Sequence, residues 1–185
     1  MFKRLHYRLG MLVVVTGLPG SGKSTLSNEL AARLALPLIA KDRYKEILFD
    51  ALGIGDRSWS RRLGQAAIAL QYHAIATVRD AVVDSGLWPG VSEPELASLR
   101  LPMAQVFCHC PFELARDRYF SRPRHAGFVA EQMTVEDYEM FRPLVEPLAL
   151  DAPLVRVSTS REVDYDHLVK DLSALGVNGE RRSRS

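Results

Sequence analysis

Short aliphatic runs alternate with amphipathic stretches along most of this chain. Residues 12–15 form an unbroken aliphatic run, typical of a strand buried on both faces, and the run leads into a glycine-rich segment. Apolar residues from Leu26 to Leu34 then recur at helical spacing, and Pro37 limits that helix before a short strand over residues 37–40. The pattern therefore predicts a strand, a loop, a helix and a second strand in succession.

The same alternation continues towards the end of the chain. From Arg61 onward, apolar residues keep the i, i+3, i+4, i+7 spacing of an amphipathic helix to about Asp80. Residues 106–110 and 154–157 are predicted to be buried strands, and helices are predicted after them over 112–120 and 165–175. Strands that alternate with helices predict a three-layer α/β fold, in which helices cover both faces of a mostly parallel sheet.

Composition and charge narrow the class of protein. The 185 residues are 47% hydrophobic and 25% charged, which is typical of a soluble globular protein and excludes disordered and fibrous classes. A formal net charge of +2 is too small to indicate nucleic-acid binding by itself. The length predicts one domain over residues 11–176, with a dispensable extension over 1–10 and a disordered tail over 177–185.

Cysteine content and hydropathy predict the compartment. The chain has 2 cysteines, Cys108 and Cys110, so a disulfide framework is not expected and a reducing compartment is favoured. The apolar run over residues 11–15 is far shorter than the roughly 20 residues of a membrane span, and it leads directly into the glycine-rich segment. These observations predict a cytoplasmic protein with no membrane partner.

The glycine-rich segment carries the strongest chemical signal. Residues 17–24 match the Gly-x4-Gly-Lys-Ser signature of a phosphate loop, the Walker A motif. Glycines here let backbone N–H groups and the start of the following helix surround a polyphosphate. Lys23 is then expected to reach the β- and γ-phosphates of ATP, and the Ser24 hydroxyl is expected to ligate Mg²⁺. The predicted nucleotide-binding residues are Gly17, Leu18, Pro19, Gly20, Ser21, Gly22, Lys23, Ser24 and Thr25.

Two further segments extend this signal: Lys41-Asp42-Arg43-Tyr44-Lys45 after the second predicted strand, and the arginine-rich residues 116–125. With them, the chain resembles the small P-loop kinases, which include adenylate, gluconate and shikimate kinases and the kinase domain of polynucleotide kinase. The resemblance covers residues 12–175 and is strongest to predicted kinases and AAA-type ATP-binding proteins. It implies an ATP- and Mg²⁺-dependent phosphotransferase that moves the γ-phosphoryl group to a hydroxyl of a small molecule.

Asp42 follows the second predicted strand, at the sheet edge where ligands of open α/β sheets bind. In the resembling kinases an aspartate here orients or deprotonates the acceptor hydroxyl, which implies a catalytic role. The alternative is that Asp42 caps a helix beginning at Arg43. Polynucleotide kinases carry an arginine three residues after this aspartate, where this chain has Lys45. A nucleic-acid end is therefore the less favoured acceptor.

Residues 116–128 combine several arginines with proline and glycine, and the resembling kinases place a mobile lid in this region. Arg118 and Arg122 are spaced i, i+4, and as catalytic residues both would contact the transferring phosphoryl group when the segment closes. The alternative is a solvated basic surface paired with nearby acidic residues such as Asp117. His125 has no visible partner in the sequence and is expected to be exposed to solvent.

Residues 81–84 fit two structures. Ala81 and Val82 continue the preceding helix in phase, with Gly86 as its C-terminal stop. In the resembling kinases, however, a strand between the first two ends in an acidic residue that orients Mg²⁺, which would be Asp84 here. Losing a central strand would leave backbone groups unpaired across a gap of about 4.8 Å. We therefore expect a strand that ends in Asp84, as a magnesium-side residue alongside Ser24.

The sequence is compatible with two other functions. A polynucleotide 5′-hydroxyl kinase is favoured by Asp42, Tyr44 and the arginine content, but it is opposed by the low net charge. A nucleotide-binding module with little turnover is expected instead if the central acidic residue is missing. The identity of the acceptor, the adenine contacts and the oligomeric state depend on pocket shape rather than on local spacing.

Overall fold

The computed structural model describes residues 10–78, 80–129 and 133–177. The predicted extension lies outside these ranges except for Gly10, and so does the predicted tail except for Val177. Five strands form the central sheet: β1 (Leu12–Gly17), β2 (Leu38–Ala40), β3 (Ala81–Asp84), β4 (Met103–His109) and β5 (Leu154–Ser158). All neighbouring strands are parallel, in the order β2-β3-β1-β4-β5. Both neighbours of β1 therefore come from later in the chain.

Seven α-helices and one 3₁₀ helix connect and cover the described strands. They are α1 (Lys23–Leu34), α2 (Lys41–Leu52), α3 (Arg57–Thr77), α4 (Ser92–Ser98), α5 (Phe112–Ser121), α6 (Ala126–Val129), the 3₁₀ helix (Asp137–Val145) and α7 (Tyr165–Ala174). Within the described ranges, none of these helices combines the length and the apolar composition needed to cross a bilayer.

The side chains of β1 show how the layers are built. Val13 and Val15 pack in one buried cluster with residues of α1 and α7, on one face of the sheet. Leu12 and Val14 point to the opposite face, where they pack with residues of α3 and α4. Because successive residues of a strand point to opposite faces, an unbroken aliphatic run needs an apolar cover on both sides. The predicted three-layer α/β fold is confirmed.

Residues 81–84 form a strand, as predicted from the strand order of the resembling kinases. All four are buried, and β3 pairs with β1 on one side and with β2 on the other. The preceding helix, α3, ends at Thr77, so the prediction that it continues to Asp80 is wrong. Asp80 instead accepts a hydrogen bond from the N–H of Met11 at 2.8 Å. Pairing on both sides satisfies the backbone of β3, and this outweighs the helical periodicity of its side chains.

Two helices begin earlier than the apolar pattern predicted. α3 starts at Arg57, and α2 starts at Lys41, directly after β2, rather than at Arg43. The N-cap residue of α2 is Ala40, and Asp42 lies inside the first turn. The alternative that Asp42 caps the helix is therefore wrong. A carboxylate in the first turn still interacts favourably with the helix dipole, which helps to fix its position.

Gln71 of α3 joins two strands at the edge of the sheet. Its buried side-chain amide donates hydrogen bonds to the carbonyl oxygen of Ile39 at 3.1 Å and to that of Asp84 at 3.0 Å. These carbonyls lie near the carboxyl ends of β2 and β3. The amide therefore fixes the backbone of Asp84 relative to the strand that leads into Asp42.

Candidate active site

The phosphate loop, residues 17–24, connects β1 to α1 at the carboxyl edge of the sheet. Gly17 has φ 132°, and a Cβ atom there would lie 2.3 Å from the carbonyl oxygen of Cys108. Gly20 has φ 86°, and its Cβ would lie 2.1 Å from the carbonyl oxygen of Ala115. Only glycine satisfies both the positive φ and the close approach. The loop is therefore packed directly against β4 and α5.

Lys23 folds back over this loop from the first turn of α1. Its ammonium group donates hydrogen bonds to the carbonyl oxygens of Gly17 at 2.9 Å and Leu18 at 2.7 Å. Burial lowers the pKa of Lys23, while the carboxylates of Asp84 and Asp42 act to raise it. The side chain thus holds a positive charge where a bound polyphosphate would meet the loop.

Asp84 lies at the carboxyl end of β3, beside β1, and is only 8% exposed. The Ser24 hydroxyl lies close enough to its carboxylate to interact with it. Burial raises the pKa of Asp84, and the Lys23 ammonium and the Ser24 hydroxyl partly offset this effect. A hydroxyl and a carboxylate are hard oxygen donors of the kind that Mg²⁺ accepts. The two residues therefore fit a magnesium ion, and the central acidic residue is present.

Asp42 pairs with its neighbour Lys41, with 3.0 Å between ammonium and carboxylate, and its side chain remains 53% exposed. Partial burial acts to raise the pKa of Asp42, but the charges of Lys41, Lys23 and Arg124 outweigh it, so the pKa lies below its usual value. We therefore expect Asp42 to be ionised at neutral pH and able to accept a hydrogen bond from a hydroxyl group.

Three cavities adjoin the phosphate loop. The smallest, here called the inner cavity, has a volume of about 210 Å³ and brings Lys23, Asp42 and Asp84 together. A cavity of about 490 Å³ shares Ser24, Asp42, Asp84 and Arg122 with it. The third, here called the outer cavity, also has a volume of about 490 Å³. It is lined by the loop, the start of α1 and the segment after β5, including Gly22, Thr25, Arg118, Thr159 and Tyr165. Lys23 and Asp42, predicted to be catalytic, and Ser24 and Asp84, predicted to lie on the magnesium side, therefore all line the inner cavity.

The two candidate lid arginines occupy different positions. Arg118 belongs to α5, lines the outer cavity and donates a hydrogen bond to the carbonyl oxygen of Thr159 at 3.0 Å. Arg122 follows the last turn of α5, is exposed, and lines both the inner and the outer cavity. By contrast, Arg116 pairs with Asp117 at 3.1 Å on the surface, as the alternative expected. Arg118 and Arg122 therefore line the cavities, whereas Arg116, the other arginine of α5, pairs on the surface.

The family follows from comparison with known proteins. A family model described as an AAA domain matches residues 12–148. The chain belongs to this family. Among solved structures, a presumed kinase from Chloroflexus aurantiacus J-10-fl is 32% identical, with a TM-score of 0.83 over 90% of this chain and 98% of that chain. Comparison with curated proteins gave no significant match.

More distant structures share the fold of this AAA-domain protein. A gluconokinase from Sinorhizobium meliloti 1021 is 20% identical, with a TM-score of 0.58 over 91% of this chain and 98% of that chain. A shikimate kinase from Bacteroides thetaiotaomicron is 18% identical, with a TM-score of 0.55 over 89% and 97%. Together with the family match, these structures confirm the P-loop kinase group that the sequence predicted.

The segment that follows α5 in the AAA-domain protein packs on α2 around Phe49. The ring of His125 stacks on Phe49 with 5.5 Å between centroids, and its Nε2 lies 3.1 Å from a carboxylate oxygen of Asp50. A Cβ atom at Gly127 would lie 2.4 Å from the Phe49 ring. The expectation that His125 is a solvent-exposed residue without a partner is therefore wrong. Its partner Asp50 lies 75 positions earlier in the chain, so no local sequence pattern indicates the contact.

Part of the predicted lid, residues 116–128, belongs to regular helix in the AAA-domain protein. Residues 116–121 complete α5, whose backbone hydrogen bonds hold them in a regular helix. Residues 122–125 are irregular, and α6 begins at Ala126. Arg118 is therefore held within α5, and Arg122 lies outside regular helix.

Sequence reasoning also missed two residues that contact the site. Tyr138 of the 3₁₀ helix is fully buried, and its hydroxyl donates a hydrogen bond to the carbonyl oxygen of Pro19 in the phosphate loop. Arg124 lines the inner cavity, with its guanidinium 4.5 Å from the centroid of the Tyr119 ring. Tyr138 carries no local signal of this contact, because the 3₁₀ helix meets the loop only through long-range packing. Arg124 was part of the arginine-rich segment but was not singled out.

Proposed function

We propose that this AAA-domain protein is an ATP- and magnesium-dependent kinase that transfers the γ-phosphoryl group to a hydroxyl of a small molecule. The observation that carries the proposal is the convergence of Lys23, Asp42 and the Ser24–Asp84 pair on one cavity of about 210 Å³. The family comparisons support the class of enzyme, an ATP-dependent phosphotransferase.

The nucleotide would bind along the phosphate loop and extend into the outer cavity. Backbone N–H groups of the loop and of the first turn of α1 would surround the β- and γ-phosphates. Lys23 would exchange the carbonyl oxygens of Gly17 and Leu18 for phosphate oxygens. The adenosine group would lie in the outer cavity, against Arg118, Thr159 and Tyr165. The Ser24 hydroxyl and the Asp84 carboxylate would hold Mg²⁺, which neutralises charge on the phosphates.

The acceptor would bind in the inner cavity with its hydroxyl directed at Asp42. A lowered pKa keeps the Asp42 carboxylate ionised, so it can orient the hydroxyl and receive its proton. The acceptor oxygen then forms a bond to the γ-phosphorus, and the bond from that phosphorus to the β–γ bridging oxygen breaks. ADP leaves with that oxygen, and the proton passes from the acceptor to Asp42. Positioning and charge neutralisation are the main contributions of the protein.

This function is tested by a screen of hydroxyl-bearing metabolites and RNA 5′ ends with the full chain, ATP and Mg²⁺. We expect ADP release that depends on one class of small acceptor, with mass spectrometry showing one added phosphoryl group on that acceptor. Phosphorylation of RNA ends alone would establish the polynucleotide kinase alternative. Tight ATP binding with slow turnover that no acceptor accelerates would contradict the proposal and leave a nucleotide-binding module.

Arg122 is proposed to contact the transferring phosphoryl group, because its position after α5 lets it line both the inner and the outer cavity. Arg122→Lys is expected to lower turnover about thirtyfold or more with little change in ATP affinity, since an ammonium group cannot reproduce the two-pronged contact of a guanidinium. Arg116→Lys, on the surface of α5, is the matched control. Steady-state kinetics and nucleotide titration measure the two effects.

Hydrogen exchange provides an independent measurement for the same segment. Amides of residues 122–128 should become protected when ATP and acceptor bind together, and they should exchange faster in the free protein. Protection of this segment without ligand, combined with a silent Arg122→Lys, would show that it is a fixed surface rather than a lid.

We further propose that residues 11–176 act as one domain and that the protein is cytoplasmic. Cys108 and Cys110 are both free thiols, which suits a reducing compartment. The phosphate loop, α2 and β3 contribute to one site, so a division of the chain between residues 24 and 81 would separate its parts.

A further inference from the structure

Tyr138 holds one peptide bond of the phosphate loop from outside the loop. Its side chain is fully buried, and its hydroxyl donates a hydrogen bond to the carbonyl oxygen of Pro19. Its ring is surrounded by those of Phe112, Tyr119 and Phe141, whose centroids lie 5.2, 5.4 and 5.2 Å away. Burial raises the pKa of Tyr138, so the hydroxyl keeps its proton at neutral pH and acts as a donor. A donor of fixed position therefore meets the loop at one carbonyl group.

The same peptide bond also carries the N–H of Gly20. Every peptide bond that the structure describes is trans, and in a planar trans peptide the C=O and N–H groups point in opposite directions. By fixing the carbonyl of Pro19, Tyr138 therefore also directs the Gly20 N–H away from itself. Within the described part of the chain, this N–H donates to no protein acceptor, whereas the N–H of Ser21 bonds the carbonyl oxygen of Leu18 at 3.0 Å. Gly20 thus offers a free donor whose direction is set.

Gly20 lies where the inner and outer cavities meet. Both cavities are lined by Gly20, Gly22 and Arg122. A nucleotide with its adenosine in the outer cavity and its γ-phosphoryl group in the inner cavity therefore passes its phosphate chain over Gly20. A Cβ atom on Gly20 would lie 2.1 Å from the carbonyl oxygen of Ala115, so α5 closes the other side of the residue. Loop N–H groups at positive φ form concave sites for anions, and the phosphate chain is the anion that fits here.

We propose that Tyr138 is a positioning residue of the nucleotide site, which directs the Gly20 N–H at the phosphate chain of the bound nucleotide. Tyr138 itself contacts neither the nucleotide nor the acceptor. Without its hydroxyl, the peptide between Pro19 and Gly20 is less restrained, so nucleotide binding also costs the entropy of fixing that peptide. The inference rests on the nucleotide-binding part of the proposed function and requires no particular acceptor.

The NMR signal of the Gly20 amide tests this role directly. Isotope labels at proline carbonyl carbons and glycine nitrogens select the amides of glycines that follow proline, which are Gly20 and Gly90. Gly90 donates to the Glu93 carboxylate at 2.7 Å and is the internal control, and Pro89→Ala assigns its signal by removing it. When the full chain is saturated with ADP and Mg²⁺, we expect the Gly20 amide proton to shift downfield, as a new charge-assisted hydrogen bond requires. The Gly90 signal should stay in place.

Tyr138→Phe removes only the hydroxyl and keeps the ring in its aromatic cluster. We expect its affinity for ADP, measured by calorimetry, to fall about fivefold, the scale of one lost hydrogen bond. The downfield shift of the Gly20 amide proton at saturation should also become smaller, because the N–H is no longer held towards the phosphate chain. Tyr72→Phe is the matched control and should change neither quantity, since the Tyr72 hydroxyl donates its hydrogen bond to Glu95 at 2.8 Å, away from the loop.

A purely structural role for Tyr138 gives a different result. If the hydrogen bond only satisfies a buried hydroxyl, Tyr138→Phe lowers the melting temperature but leaves ADP affinity and the Gly20 shift at saturation as in the wild type. That result would overturn the inference, and so would a wild-type Gly20 amide that does not respond to bound ADP. The kinase proposal fails separately, when the wild-type chain binds ADP and ATP but transfers no phosphoryl group to any acceptor. A wild-type chain that does not bind ADP would contradict both.

Discussion

Replacing Lys23 with alanine is expected to reduce phosphoryl transfer at least about a hundredfold, the scale seen when a preorganised transition-state donor is removed. The ammonium group lies inside the phosphate loop, bonded to the carbonyl oxygens of Gly17 and Leu18. As the γ-phosphoryl group separates, negative charge grows on the phosphate oxygens, and a nearby cation stabilises that charge more than the ground state. Turnover should therefore fall more than nucleotide affinity.

The measurement compares single-turnover rates and ATP titrations of wild type, Lys23→Ala and Lys170→Ala. Lys170 is an exposed residue of α7 and controls for the loss of one positive charge. Circular dichroism and thermal unfolding monitor the fold, because Lys23→Ala removes two hydrogen bonds within the loop. A folded Lys23→Ala variant with unchanged turnover would end the kinase proposal.

Asp42→Asn is expected to reduce phosphoryl transfer about a hundredfold or more while ATP affinity changes only a fewfold. The substitution keeps the shape of the side chain and removes its negative charge. Asp42 lies on α2 rather than on the phosphate loop, so its loss should affect the acceptor hydroxyl and spare the nucleotide.

Asp166→Asn is the matched control for this variant. Asp166 also lies in the first turn of a helix, α7, so it reproduces the loss of a carboxylate near a helix N-terminus. Single-turnover rates and ATP titrations of both variants separate general electrostatics from acceptor chemistry. If nucleotide binding collapses together with transfer in Asp42→Asn, the residue acts on the magnesium side instead.

The sequence predicted those parts of the fold that are encoded locally. The aliphatic run of β1 needs two apolar faces, and the glycines of the phosphate loop need positive φ, so neighbouring residues alone specify both. β3 was ambiguous because Ala81 and Val82 also fit the helical period of α3. The strand was favoured because the resembling kinases have one between the first two strands, and the pairing of β3 with β1 and β2 confirms it.

The residues that the sequence did not predict depend on distant contacts. His125 pairs with Asp50, 75 positions earlier, and Tyr138 bonds Pro19, 119 positions earlier. The position of Arg124 beside the rings of Tyr119 and Phe128 likewise depends on packing that no spacing along the chain expresses. Such contacts become visible only when the helices have been placed on the sheet.

The hydrogen bond from Tyr138 to Pro19 forms late when the chain folds during synthesis. The phosphate loop leaves the ribosome before both neighbours of β1, which has no partner in the sheet until residues 81–84 and 103–109 have followed. Pro19 gains its contact with Tyr138 later still. Because synthesis proceeds from the N-terminus and long-range contacts form last, the loop reaches its final shape only after residue 138 has been synthesised. Chains cut short before residue 138 would carry the complete nucleotide signature and yet lack the support that shapes it.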